Sequence, residues 1–371
     1  MTTVNETLLE AAIGHQVDLQ QYSTWLVQRI IGLLNKVDSD LVAQLTVALE
    51  EMTPTSFTVE RLEGLLGSVR QLNLQAYREI ERELTAQLRE FAAYEGSHQL
   101  QLFRSVLPPQ VVAAVGVHAV SIDQVVAAAL SRPFQGRLLK EWASSIEADR
   151  MVRIRDAIRI GFVEGQTTGQ IIRRVRGTRA KGYSDGIIEI DRRHAASVVR
   201  TAVSHTAAAA RQGFYERNSD LIKADKWVST LDSRTSSGCR VRDGLQYRPV
   251  THEPIGHKVP WAAGPGRLHW CCRSTSVAVT KSFRELGLDS DEMPASTRAT
   301  MDGQVPADMT YSQWLMKQSA ARQDEVVGPT RGALMRSGGM KFDELYDSRG
   351  RYLSLDELRR QDAAAFERAG L

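Results

Sequence analysis

W-V-S-T-L-D-S-R-T-S-S-G-C-R-V-R-D-G, residues 227–244, and L-H-W-C-C-R-S-T-S-V-A-V-T, residues 268–280, decide how this chain is read. All three cysteines lie here, at Cys239, Cys271 and Cys272. The first strand-like runs of the chain lie here too: Lys226 to Leu231, Leu245 to Pro249 and Ser274 to Thr280, rich in β-branched and aromatic residues. Residues 240–268 between the two segments are rich in glycine, proline and histidine. Soft-metal ligands gathered in one segment of a long chain point to a local site rather than to scattered core positions.

Thiolate and imidazole are the ligands zinc prefers, and a closed structural site takes four of them. Cys239 follows a strand, and His269 and Cys272 flank the start of another, so the candidate metal ligands are Cys239, His269 and Cys272. An ion there would staple 240–268, which reads as too glycine- and proline-rich to hold itself. Adjacent strand residues face opposite ways, so Cys271 and Cys272 should not both reach one ion. His252, His257 and Asp243 are the candidates for a fourth ligand. The competing reading is a metal-free core in which the cysteines and His269 are small packed residues, as free cysteine often is.

Carboxylates beside a thiol invite an acid–base reading for Asp232 and Asp243. Structural roles account for them more simply: Asp232 caps a turn, Arg234 pairs with it bidentately, and Asp243-Gly244 is a turn dipeptide. No catalytic residues are assigned. Trp227 and Trp270 read as core aromatics, and His205, alone on an alanine-rich helix, as a packed or partly exposed histidine.

Upstream of the strands the chain reads as helices. Leu19, Tyr22, Leu26, Ile30, Leu33 and Val37 fall on one helical face. Asp38-Ser39-Asp40 should break that helix and cap another reaching Met52. After Thr53-Pro54 a longer stripe runs from Leu62 through Leu65, Val69, Leu72, Ala76, Ile80, Leu84 and Leu88 to Phe91, opposite a charged face. Ser121-x-x-Gln124 and Thr167-x-x-Gln170 are capping boxes, with a long helix expected from about Leu138 to Glu164 between them. A further helix is expected from Asp191 to about Asn218. Arg173, Arg174, Arg176, Arg179 and Lys181 form a basic cluster that would suit DNA. A solvated helix end explains it as well, since no aromatics interleave the charges. Past Leu286 the acidic stretch with Asp289, Asp291, Glu292, Pro294 and Ser296 reads as a linker. Thr310-x-x-Gln313 and Ser354-x-x-Glu357 then cap C-terminal helices.

The sum is an α+β chain with a largely helical N-terminal region, residues 1–135. A central domain, 136–285, carries a small mixed or antiparallel sheet after a long helix, and 286–371 is a linker with a helical tail. At 371 residues, 42% hydrophobic and 25% charged, the composition is that of a globular chain with room for two cores. The net charge of +3 is too small to argue for nucleic acid by itself. Val106 to Val120, the nearest approach to a membrane span, is broken by Pro108, Pro109, Gln110 and His118. The N-terminus lacks a charged region followed by an apolar core, so no secretory signal is read. The sparse, odd cysteine count suits a reducing cytoplasm.

The ordered series Trp227, Thr230, Asp232, Arg234, Thr235, Cys239, Asp243, Gly244, His269, Cys272 and Arg273 resembles the head morphogenesis domain of Mu F-like phage minor head proteins. Arg200-Thr201 on its helix, Glu164-Gly165, the helix starting near Gln170, Y-S-Q-W-L-M-K-Q, V-V-G-P-T-R and Gly350 to Leu358 extend the similarity over roughly 150 to 360. Many relatives carry a second cysteine where this chain has Ser236, so one ligand expected from the resemblance is missing. The resemblance implies a minor capsid protein, not an enzyme. Such a protein sits at the portal vertex of the phage head after assembly in the host cytoplasm, with the portal and other head proteins as partners and packaged DNA nearby. It would aid procapsid assembly and take part in DNA packaging or ejection. Two alternatives come from other classes. One is an ADP-ribosyltransferase-like effector, suggested by Arg273-Ser274-Thr275-Ser276 but lacking a following Glu-x-Glu. The other is a DNA-contacting internal virion protein, resting on the basic cluster.

Overall fold

The fold comes from a computed structural model that describes residues 3–51, 58–287, 297–300, 303–306 and 309–371. The expected break at Thr53-Pro54 and the acidic linker residues from Asp289 to Ser296 lie outside the described residues. In chain order the helices are α1 (Val4–Glu50), α2 (Val59–Val106), α3 (Pro109–Val115), α4 (Ile122–Ser131), α5 (Leu139–Val163), α6 (Thr168–Arg176) and α7 (Ile187–Arg217). The central sheet and its inserted turn follow as β1 (Ile222–Val228), α8 (Ser237–Arg240), β2 (Gln246–Tyr247) and β3 (Thr275–Thr280). Then come the hairpin of β4 (Thr297–Thr300) and β5 (Gly303–Pro306) and the helices α9 (Tyr311–Met316), α10 (Ala320–Val327), α11 (Pro329–Arg336), α12 (Leu355–Gln361) and α13 (Ala363–Arg368). The architecture is α+β, as the sequence predicts. Residues 19–91 and 126–206 form one compact unit, and 3–18, 92–125 and 207–371 the other.

In the first unit, α1 does not break at Asp38-Ser39-Asp40. The buried stripe there is Leu26, Ile30, Leu34, Asp38, Leu41 and Leu45, so Asp38 occupies a core-facing position within one uninterrupted helix. Its carboxylate accepts from the guanidinium of the buried Arg150 and, at 2.9 Å, from Arg192. A carboxylate engaged by two cations has no reason to bond its own backbone, the competition that makes aspartate a helix stop. Asp191 completes the set, taking Arg153 at 2.5 Å and lying 3.8 Å from Arg150. That role also explains why α7 begins at Ile187 rather than at Asp191: Asp191 is an interior helical residue turned to the core. Around these charges Leu41, Leu45, Leu66 and Val69 pack on Ile154, Ile158, Ile171 and Val175. Each such side chain contributes about 2 kcal/mol by leaving water. Gly161 lets α5 approach α6 closely, since a Cβ there would sit 2.5 Å from the Ile171 side chain. The Thr167–Gln170 capping box forms, with Thr167 N donating to the Gln170 side chain at 2.7 Å.

In the second unit, β1 is the middle strand of an antiparallel sheet in the order β2-β1-β3, with Asp225 opposite Tyr247 and Ala278, and Trp227 opposite Ser276. Successive strand residues face opposite sides, so neighbours on β1 serve two cores. Ile222 and Val228 join Leu8, Leu9, Phe103, Phe214 and Val277 in one core. Trp227 joins Tyr247, Trp261, Cys239 and Cys272 in the other. A third core belongs to the C-terminal helices, where Trp314, Leu334, Leu345, Leu358 and Phe366 pack with Leu231 and Tyr311. The boxes Thr310–Gln313 and Ser354–Glu357 cap α9 and α12 as expected.

Replacing Arg150 by Met leaves two buried carboxylates with fewer cations, and we expect a loss of about 3 kcal/mol, read from urea unfolding. The buried Asp225 supplies a pH test. Burial pushes its carboxyl up to about 7, against hydrogen bonding from Ser276. The folded chain therefore holds this proton at pH values where the unfolded chain, near 3.9, has released it. Stability from Asp225 is complete below the unfolded value and is lost as pH rises through the folded one. In paired unfolding series, wild type should lose stability relative to Asp225→Asn between about pH 4 and 7. A constant difference would contradict the assignment.

Candidate functional site

The site is built where β1 ends, at α8, and where β3 begins. Ser236 caps α8, its hydroxyl accepting from Cys239 N at 3.3 Å, and this short helical turn points the Cys239 thiol inward. The Ser229 hydroxyl donates to Cys239 O at 2.9 Å, fastening the turn to the end of β1. On the other side, Cys272 N donates to His269 O at 3.2 Å, closing a turn whose third residue, Cys271, has φ +53°. A left-handed non-glycine residue costs about 1 kcal/mol or more. It also explains the fate of Cys271. The strand begins only at Thr275, so Cys271 is set apart from Cys272 by the turn and not by strand alternation.

The structure brings Cys239, His269 and Cys272 together. Their ligand atoms all lie within 4.8 Å of one another, with Cys239 Sγ 3.3 Å from His269 Nε2 and 3.7 Å from Cys272 Sγ. Both sulfurs are buried and the imidazole is half-buried. His269 Nδ1 lies 2.9 Å from Trp270 O, an arrangement in which Nδ1–H donates to the carbonyl and Nε2 turns its lone pair toward the sulfurs. The hydrogen bond between the two thiols, together with burial, pushes Cys239 above the usual thiol range, and the same bond draws Cys272 well below it. Hydrogen bonding to Cys272 in turn raises His269.

None of the expected fourth ligands joins this cluster. Asp243 uses one carboxylate oxygen on Ser229 N at 2.6 Å and the other on Tyr311 N at 2.8 Å. His257 Nε2 lies 2.9 Å from Gln246 O, and His252 stacks on Trp261 at 4.8 Å. The loop 240–268 also departs from expectation, because it holds itself. Trp261 meets Trp227 edge-on at 5.4 Å and Tyr247 at 4.9 Å, a packed aromatic group of the kind worth about 1 kcal/mol per pair beyond its burial. Gly264, at φ +87°, turns tightly over the Trp261 ring, where a Cβ would come within 2.7 Å of its nitrogen.

The partner of Asp232 also differs from the sequence expectation. Arg273, not Arg234, grips it bidentately, at 2.5 and 2.9 Å, while Arg234 supplies only its backbone N–H at 3.0 Å. The fork geometry and the hydrogen bonds from Arg273 hold the Asp232 carboxyl below its ordinary range despite its burial. Asp232 thereby ties the exit of β1 to the entry of β3. Trp227 is fully buried, as read. Trp270 is 37% exposed and is not a core aromatic, because the turn at Cys271 carries it outward. His205 is buried, beside Phe134. Ser274, Thr275 and Ser276 are all buried, so the hydroxyls of that run are enclosed rather than offered to a nucleotide. In the basic cluster, Arg174 pairs with Glu164 at 2.6 Å and Arg176 stacks on Tyr183 at 4.9 Å, which is how a helix end is solvated and capped.

Residues 152–277 match the family model described as Phage Mu protein F like protein. Over this segment the chain is similar to the Mu F-like proteins of phage head morphogenesis. The match runs from α5 to β3 and contains Cys239, His269, Cys272, Asp232 and Arg273. No curated protein and no solved structure matches the chain. No described helix is long and apolar enough to cross a membrane. Sequence reasoning missed the tie from Asp243 to Tyr311. The only signal was the Thr310 capping box, which places a free helical N–H at Tyr311 without saying which acceptor meets it.

Arg273→Ala leaves Asp232 half-satisfied and unpins β3 from the turn. We expect a loss of about 2 kcal/mol by urea unfolding, against less than half of that for Arg234→Ala.

Proposed function

We propose that this chain is a minor head protein that associates with the portal vertex and assists procapsid assembly. The observation that carries the proposal is the Mu F-like match over residues 152–277. The construction of the site agrees with an assembly role. Its carboxylates are spent on structure: Asp232 on Arg273 and backbone, Asp243 on two backbone N–H groups. The long helices α1 and α2 are the elements proposed to meet the portal. On the described part of α1, Trp25 is 48% exposed and Val47 59% exposed, large apolar surface suited to a protein partner.

The test is recovery of tagged full-length chain from cells assembling heads, with bound proteins identified by mass spectrometry. Portal protein in a fixed ratio is the expected result; recovery without any capsid component would overturn the proposal. Mapping by deletion of the first hundred residues is unsuitable, since Leu8, Leu9 and Phe103 belong to the core that supports β1 and β3. Trp25→Ala and Val47→Glu leave that core intact, and each should reduce recovered portal several-fold while leaving the thermal unfolding midpoint unchanged.

A further inference from the structure

We propose that Cys239, His269 and Cys272 bind a zinc ion. The inference is independent of the portal reading and rests on the arrangement of three donors from two segments of the chain. Two thiolates held at about 2.3 Å from one tetrahedral ion stand about 3.8 Å apart, and a thiolate and an imidazole nitrogen on the same ion about 3.6 Å apart. The corresponding separations here are 3.7 Å between the sulfurs and 3.3 Å between Cys239 Sγ and His269 Nε2. The donors thus already stand close to the spacing that zinc imposes.

Three features of the surroundings fit a metal better than a packed thiol pair. First, the imidazole is oriented from behind: Nδ1 sits on the Trp270 carbonyl, as the outer nitrogen of a zinc-bound histidine usually does, so Nε2 is the ligating atom. Second, the turn carries a non-glycine residue in the left-handed region at Cys271, a local cost that places His269 and Cys272 on the same side. Third, Cys239 is fixed through both its N–H, on Ser236, and its carbonyl, on Ser229, so the thiol is preorganised. The hydroxyl of Ser236, beside Cys239, is occupied as a helix cap. The set is therefore three protein ligands among the described residues, Cys2His, with Cys271 outside it.

Such an ion ties α8 to the start of β3. The loop between them also packs Trp261 and Tyr247 against Trp227, in the core that holds both cysteines, so the metal would reinforce a sheet edge that aromatic packing already supports. That separates this site from small zinc modules that unfold when stripped.

The test uses full-length protein purified under reducing conditions without chelator, its metal content measured by mass spectrometry. We expect about one zinc per chain, near zero in Cys239→Ser and Cys272→Ser, and undiminished in Cys271→Ser. Stripped wild-type protein reloaded with cobalt should show the intense ultraviolet absorption of thiolate bound to cobalt and the visible bands of a tetrahedral site. Chelation should lower the thermal midpoint while the circular dichroism of the folded state stays unchanged. Wild-type protein that holds no zinc and gives no thiolate–cobalt absorption would overturn the proposal, whatever the variants do. Loss of the metal in Cys271→Ser with retention in Cys272→Ser would overturn the ligand assignment.

Discussion

Asp243 is the constraint on which the rest of the site region depends. One buried carboxylate takes a backbone N–H from Ser229, at the end of β1, and another from Tyr311, at the first turn of α9. A buried carboxylate is costly unless such donors meet it, so both segments are held at fixed distances from the turn that carries it. Asp232 repeats the device a few residues earlier. Its side chain grips Arg273 and its carbonyl accepts from the Tyr311 hydroxyl at 2.7 Å. Together the two aspartates set the end of β1, the start of β3 and the C-terminal helices around Cys239, and the Cys/His cluster inherits its geometry from them.

The residues that physics treats locally were legible in the sequence. Capping boxes at Thr167, Thr310 and Ser354 announced helices that form where expected, because a cap depends on side chains three residues apart. Along the expected stripe of α2, Leu62, Val69, Ala76, Ile80, Leu84, Leu88 and Phe91 are buried for the same reason, while the Leu65 side chain lies outside what the structure describes. The three strands of the central sheet are legible from composition, although β2 is shorter than the expected run from Leu245 to Pro249; the hairpin of β4 and β5, in the stretch that reads as a linker, is not. The Cys/His cluster was legible because rare residue types with one kind of chemistry lay in one segment.

What was not legible depends on partners far along the chain. Asp38 looks like a helix stop until Arg150 and Arg192 are seen to share its carboxylate, and nothing local to Asp38 reveals them. Arg234 was the nearer cation to Asp232, yet the strand pairing delivers Arg273 instead, since β1 and β3 lie side by side. The loop 240–268 looked too rich in glycine and proline to order itself. Its order comes from Trp261 entering a pocket formed by Trp227 and Tyr247, a contact that no spacing rule encodes.

The tie between Tyr311 and Asp243 has a consequence for the integrity of the chain. The C-terminal helices are joined to the sheet by hydrogen bonds and by a core shared with Leu231, as well as by the peptide chain running between them. A protease that cut the backbone anywhere from residue 288 to residue 308 would divide the polypeptide in two without dissolving the assembly of its parts. The nicked protein would travel as one body in native conditions and separate only in denaturant. Processing of this chain at such a place would then change its covalent identity while leaving its surface, and whatever it holds, in position.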